Sequence, residues 1–274
     1  MSSHPVRPIL PPMPPAAPPA RPLTVGLFVT CLVDLMRPVV GFAAVKLLEA
    51  AGCRVVVPEA QTCCGQPAYN SGDATDARAI ALRVIDAFAG VDYVVAPSGS
   101  CAAMIRVHYP KLFEDDPLAA AAEELAARTY ELTSFLSDVM KWTGINAEYA
   151  GRATYQDGCA GLRELMIRDQ PRKLLALVRG LELVEGIDAE NCCGFGGLFS
   201  LKFPDISARI ADAKTDDIGV TGADLVLGGD LGCLLHLAGR MGRLKNPVAC
   251  RHVAEVLAGM TADAPIGEGT GDAK

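Results

Sequence analysis

A cysteine order that occurs twice constrains this chain more than any other feature. The first run is Cys31, then 31 residues, Cys63–Cys64, then 36 residues, and Cys101. The second is Cys159, then 32 residues, Cys192–Cys193, then 39 residues, and Cys233. Gly65 and Gly194 follow the two vicinal pairs, and eight of the ten cysteines fall in this register. A repeat of this kind predicts two halves of one architecture, with the cysteines at equivalent places in each.

The segments between the cysteines alternate short apolar runs with stretches of helical spacing. "LTVGLFVT" (Leu23–Thr30) reads as a buried strand, and "VVGFAAVKLLEAAG" (Val39–Gly52) as a helix stopped by glycine. "CRVVVPE", "DARAIALRVIDAFAG" and "DYVVAPSGS" continue as strand, helix and strand. In the second half "RATYQDG", "LELVEG" and "ADLVLGGD" read as strands. "QPRKLLALVRGL", "ISARIADAKTDDIGVTG" and "VACRHVAEVLAG" read as helical. The pattern predicts an α/β fold of two pseudo-symmetric Rossmann-like halves, each a mostly parallel sheet with covering helices. The expected organisation is a proline-rich disordered arm over residues 1–22, a first domain over 23–150, a second over 151–260 and a disordered tail over 261–274. The alanine-rich segment from Pro117 to Gly144 is expected to be a helical connection.

Each repeated cysteine lies just after an expected strand. In an open parallel sheet all strand C-termini share one edge, and ligands bind there. The four thiols of each half can therefore converge although they are far apart in sequence. Several of them also open an expected helix, where free N–H groups favour thiolate. The glycines of "NCCGFGG", Gly194, Gly196 and Gly197, and Gly65 after the first pair, would let backbone N–H groups approach closely.

Composition narrows what the thiols are for. The net charge is −7 and aromatics make up 5% of residues, which argues against nucleic acid as a partner. No apolar run is long enough to span a bilayer, so an integral membrane protein is not expected. The N-terminal stretch lacks the apolar core of a secretory leader, and the expected location is the reducing cytoplasm. There, clustered cysteines serve metal or redox chemistry. Adjacent thiolates ligate one small ion awkwardly, whereas a cluster of several irons spreads over a larger volume. An iron–sulfur cluster is thus favoured. A zinc-stabilised scaffold and thiol–disulfide chemistry at the vicinal pairs remain as alternatives.

The stretches "GLFVTCLVDLMRP", "QTCCGQPAYNSGD", "APSGSCAAMIR", "YQDGCAGLREL", "NCCGFGGLFSLKFPDIS" and "RHVAEVL" carry a specific resemblance, over about Leu23 to Gly259. They resemble the cysteine-rich CCG domain that occurs twice in one of the heterodisulfide reductase subunits. They are most similar to the lactate utilisation protein A family. The resemblance implies an iron–sulfur oxidoreductase subunit taking part in oxidation of L-lactate to pyruvate. Its partners would be a ferredoxin-like iron–sulfur protein and a third subunit, with this chain relaying electrons. The implied cofactor is one or two clusters, [4Fe–4S] by ligand count, held by Cys31, Cys63, Cys64, Cys101, Cys159, Cys192, Cys193 and Cys233. Heterodisulfide reductase has a further cysteine in each half. Here Ser98 and Asp230 stand at those positions, as candidate oxygen ligands.

Several other residues have quieter readings. Cys53 and Cys250, outside the repeat, read as small buried hydrophobes. "GFGG" lacks the spacing of a dinucleotide fingerprint. His108, His236 and His252 read as structural histidines. Asp34 and Arg37 lie just after Cys31 and could face the shared edge, with turn or salt-bridge roles equally open, and Lys202 could add positive charge near a cluster.

Overall fold

The computed structural model describes residues 21–268. Its eight strands are β1 (Thr24–Leu27), β2 (Arg54–Val56), β3 (Tyr93–Ala96), β4 (Thr129–Glu131), β5 (Glu148–Gln156), β6 (Arg179–Leu183), β7 (Leu225–Gly228) and β8 (Ala249–His252). They form two four-stranded sheets of order β2-β1-β3-β4 and β6-β5-β7-β8, every pairing parallel. The two halves thus repeat one topology, as the cysteine order predicts.

The central strands are apolar runs buried on both faces, as a sheet covered by helices requires. Val25 and Gly26 of β1 pair with Tyr93 and Val94 of β3, while Thr154 and Tyr155 of β5 pair with Val226 and Leu227 of β7. One continuous core runs through both halves. It joins Val25, Leu27, Val40 and Leu47 to Leu227, Leu234, Val253 and Val256. A second cluster, around Phe28, Val84, Phe88, Met104 and Phe113, fills the other face of the first sheet. Each such fully buried side chain contributes about 1.5–3 kcal/mol of transfer free energy.

Polar contacts also lock the halves. Arg37 Nη2 donates to the fully buried Glu255 carboxylate at 2.7 Å, and Lys46 Nζ to Ala258 O at 2.7 Å. The helix Val253–Leu257 packs against the helix Pro38–Ala50.

The structure differs from the sequence reading in the outer strands. Within 117–144, read as a helical connection, the helix ends at Ala127 and Thr129–Glu131 pairs with Val94–Ala96 as β4. "VACRHVAEVLAG", read as one helix, is β8 followed by a short helix from Val253. Each of these two strands runs straight into the helix that begins at Leu132 or Val253, with no glycine or proline between to mark a boundary. Their pairing partner, not their own pattern, makes them strands. The helix read through Leu181 ends at Leu175, and β6 begins at Arg179.

Of the N-terminal arm, residues 1–20 lie outside the described residues, and Arg21 bonds Asp92 at 2.8 Å. Of the segment read as a disordered tail, 269–274 lie outside them. Residues 261–268 lie against the second half, where Ile266 is buried and its N–H donates to Cys250 O at 2.8 Å.

Candidate metal centre

The repeated cysteines occupy matched local structures. Cys31 and Cys159 are the first residues of the helices that follow β1 and β5. Thr30 caps the first of these with Oγ1 accepting from Val33 N, at a left-handed φ of 72°. The vicinal pairs lie in the loops after β2 and β6. Cys101 and Cys233 are the third residues of the helices after β3 and β7, whose N-caps are Ser98 and Asp230. All eight thiols therefore stand at strand C-terminal edges.

Within each half the four sulfurs form a connected set. Cys31 Sγ lies 4.0 Å from Cys63 Sγ, Cys63 contacts Cys64, and Cys64 contacts Cys101. In the second half Cys159 contacts Cys192, Cys192 contacts Cys193, and Cys193 Sγ lies 2.9 Å from Cys233 Sγ. All eight are free thiols; Cys64 and Cys193 are buried and Cys31 is exposed. Among the described residues no group of three or more His, Cys, Asp or Glu side chains is arranged to hold a single metal ion.

Backbone N–H groups point at the sulfurs. Gly65 N donates to Cys63 Sγ at 3.4 Å, and Gly194 N to Cys192 Sγ at 3.3 Å. Both glycines have left-handed φ, 82° and 87°. A Cβ on Gly194 would lie 2.5 Å from Ser207 O, so only glycine fits there. A hydrogen bond from Cys31 is the largest cause holding Cys63 far below the usual thiol range, at about 2; contacts from Cys64 and the Gly65 N–H add to it. Cys192 is held at about 2 chiefly by Cys159, then by Cys193 and the Gly194 N–H. Cys31, Cys64, Cys159 and Cys193 move the other way, each raised first by a neighbouring cysteine and further by burial. Cys63 and Cys192 are thus the thiols of each set pushed toward thiolate.

Gly196 and Gly197 shape the turn. Their carbonyls accept from Phe199 N and Ser200 Oγ. Further backbone N–H groups reach the sulfurs, from Leu32 at Cys31, from Cys64 at Cys63 and from Phe195 at Cys193. Ser98 and Asp230 face each other across the join of the halves. Ser98 Oγ donates to Asp230 Oδ1 at 2.7 Å, and Ser100 adds its N–H at 3.2 Å and its hydroxyl at 2.8 Å to the same oxygen.

The residues that brace the second cysteine loop are not legible as site residues in the sequence. Lys214 Nζ, nearly fully buried, donates to Asp188 O and Ala189 O and pairs with Asp217. Ser207 Oγ donates to Gly194 O at 2.8 Å and lies 3.2 Å from His236 Nε2. A lysine inside an apolar helical stripe is the one available signal. His108 pairs with Glu164 at 2.7 Å, and His252 Nε2 lies 3.2 Å from Pro97 O. Cys53 and Cys250 are buried apart from both sets, and burial pushes their thiols up to about 11 and about 12.

No helix among the described residues is long and apolar enough to cross a membrane. The model of the CCG cysteine-rich domain matches the chain twice, at residues 25–106 and 153–238. Lactate utilization protein A of Geobacillus kaustophilus is 52% identical over 236 residues, covering 86% of this chain and 98% of that protein. The protein of the same name in Bacillus subtilis is 48% identical over 236 residues, covering 86% and 99%. A hypothetical protein from Helicobacter pylori shares the fold with a TM-score of 0.57 at 11% identity, covering 91% of this chain and 51% of that one. With two cysteine-rich domains in matching order and about half its residues identical to those relatives, the chain belongs to the lactate utilization protein A family.

Proposed function

We propose that this chain is an iron–sulfur electron-transfer subunit of a cytoplasmic L-lactate-oxidising complex. The observation that carries the reading is the pair of four-thiol sets, each connected from end to end at the strand edges of its own half. The lactate assignment is supported by relatives named for lactate utilization at 52% and 48% identity.

The donor set fits an iron–sulfur group. Thiolate is the ligating form, and Cys63 and Cys192 are held toward it. Cys31, Cys63, Cys64 and Cys101 would hold one cluster, and Cys159, Cys192, Cys193 and Cys233 a second, with four ligands suiting [4Fe–4S]. When bound, such clusters supply one-electron transfer. The protein's part is to hold the ligands, to donate N–H bonds from Gly65 and Gly194, and to bury Cys64 and Cys193. Hydrogen bonds to sulfur and burial both set potential. Ser98 and Asp230, tied to each other, contribute to the join. Catalysis on lactate itself would lie in another subunit, beside a ferredoxin-like iron–sulfur partner.

The 2.9 Å approach of Cys193 and Cys233 favours one other reading, thiol–disulfide exchange in the second half. Anaerobic purification of the full chain separates the two. Iron and sulfide in near-equal amounts, about eight of each for two four-iron clusters, with a brown colour bleached by dithionite, are expected. A colourless zinc protein after anaerobic reconstitution would refute both readings. Metal-free protein whose thiols cycle reversibly would favour exchange.

A further inference from the structure

Each four-thiol set has one end on a helix that reaches the other half. In the first set the contacts run Cys31, Cys63, Cys64, Cys101; in the second they run Cys159, Cys192, Cys193, Cys233. Cys101 thus ends one series and Cys159 begins the next. The helix Gly99–Ala103, which carries Cys101, packs against the helix Cys159–Glu164. A second contact pins the same two runs. His108, in the helical turn Met104–His108 that continues from Ala103, lies 2.7 Å from Glu164 Oε2, at the end of the Cys159 helix.

The two helices meet backbone to backbone. A Cβ on Gly99 would lie 3.0 Å from Gly161 Cα and 3.2 Å from Gly161 N, and one on Gly161 would lie 3.7 Å from Gly99 Cα. The two Cα atoms are therefore within about 4.5 Å, one bond beyond the first of those distances. Cys101 is two residues past Gly99, and Cys159 two before Gly161. Two residues of helix separate Cα atoms by about 5.4 Å, so the Cα atoms of Cys101 and Cys159 are at most about 15 Å apart. The pseudo-symmetry provides a second crossing, where the helix from Cys31 packs against the helix from Leu231. There the places of Gly161 and Gly99 are taken by Val33 and Leu231, both buried in the apolar core. Side chains at a crossing keep helix axes about 8–10 Å apart, whereas glycine lets backbones meet.

We propose that electrons pass directly between the two thiol sets across the Gly99–Gly161 contact, with Cys101 and Cys159 as the adjoining ligands and the two glycines as positioning residues. This rests on each set holding an iron–sulfur centre. One centre gives up one electron as the other takes it up, and no bond forms or breaks. The eight thiols then make a single series through both halves. Of the two crossings, one serves this passage and the other, filled by Val33 and Leu231, serves the core.

The test is electron paramagnetic resonance of the anaerobically purified, iron-loaded full chain, reduced until both centres carry a spin. Spins on centres this close split each other's signals, by the same width in field at two microwave frequencies. That splitting is expected. It should vanish in Cys63→Ser and in Cys192→Ser, each of which leaves one centre. Gly99→Leu, which copies the residue at the equivalent place in the other half, should keep its iron and lose most of the splitting, because the interaction falls with the cube of distance. Two unsplit signals overturn the proposal. So does a splitting that survives either cysteine substitution or a folded Gly99→Leu chain, and so does a chain in which only one centre ever takes up an electron. Each of those results leaves the iron–sulfur reading standing. A chain that binds no iron removes that reading, and the proposal with it. Should Gly99→Leu fail to fold, the spectrum of the unaltered chain decides.

Discussion

Ser98 and Asp230 hold the same place in the two halves, three residues before the last cysteine of each set, and they bond each other at 2.7 Å. The fold thus brings two equivalent positions face to face across its pseudo-symmetry axis. One is a hydroxyl donor and the other a carboxylate acceptor, a pairing that two identical residues would not make as well.

Ser98→Ala should therefore act on the join. It leaves Asp230 with two of its three donors and removes the side-chain cap on Cys101 N. The expected loss is about 2 kcal/mol in chemical denaturation. Iron content of the anaerobic protein should stay unchanged; a parallel loss of iron would return Ser98 to the ligand set.

The two cysteine loops should respond unequally to the same change. Gly194→Ala drives a Cβ against Ser207 O at 2.5 Å, whereas at Gly65 the nearest atom is the flexible Ile80 Cγ2 at 3.3 Å. Both carry the cost of a left-handed φ, about 1 kcal/mol or more. Gly194→Ala should cost a further 1–3 kcal/mol, roughly the price of overpacking. Metal analysis and denaturation of the two variants, side by side, test the ranking.

The cysteines should separate into two classes. Cys63→Ser and Cys192→Ser should each remove about half of the bound iron, because each belongs to its own set. Cys53→Ala and Cys250→Ala should keep all of it and lower stability by about 1–2 kcal/mol, the cost of a small buried cavity. Loss of all iron from Cys63→Ser alone would contradict two independent centres.

Glu131 should leave a signature in the pH dependence of stability. Burial pushes its carboxyl from the ordinary 4.5 up to about 7. Between those values the folded chain binds a proton that the unfolded chain has released, so stability falls as pH rises through that window. Complete ionisation by pH 8 should cost on the order of 3 kcal/mol. Denaturation between pH 4.5 and 8 should show a steeper decline for the natural chain than for Glu131→Gln. Parallel curves would show that this carboxyl does not titrate with folding.

The cysteine order and the apolar runs between the cysteines were enough to predict two parallel α/β halves with four thiols each. Repeats and buried strands leave their mark in local pattern, and the pattern of β1, β3, β5 and β7 is long and apolar enough to read. β4 and β8 left no such mark, because each runs straight into the helix that begins at Leu132 or Val253, with no glycine or proline between to mark the boundary. Glu131, at the end of β4, was hidden for the same reason. The braces of the second cysteine loop, Lys214 and Ser207, lie 13 or more residues from it in sequence. The meeting of Ser98 with Asp230 spans 132 residues. Sequence determined which residues could ligate and that they recur. Tertiary packing alone decided which polar groups meet across the join, because that depends on how two separately patterned halves dock, and no local period encodes it.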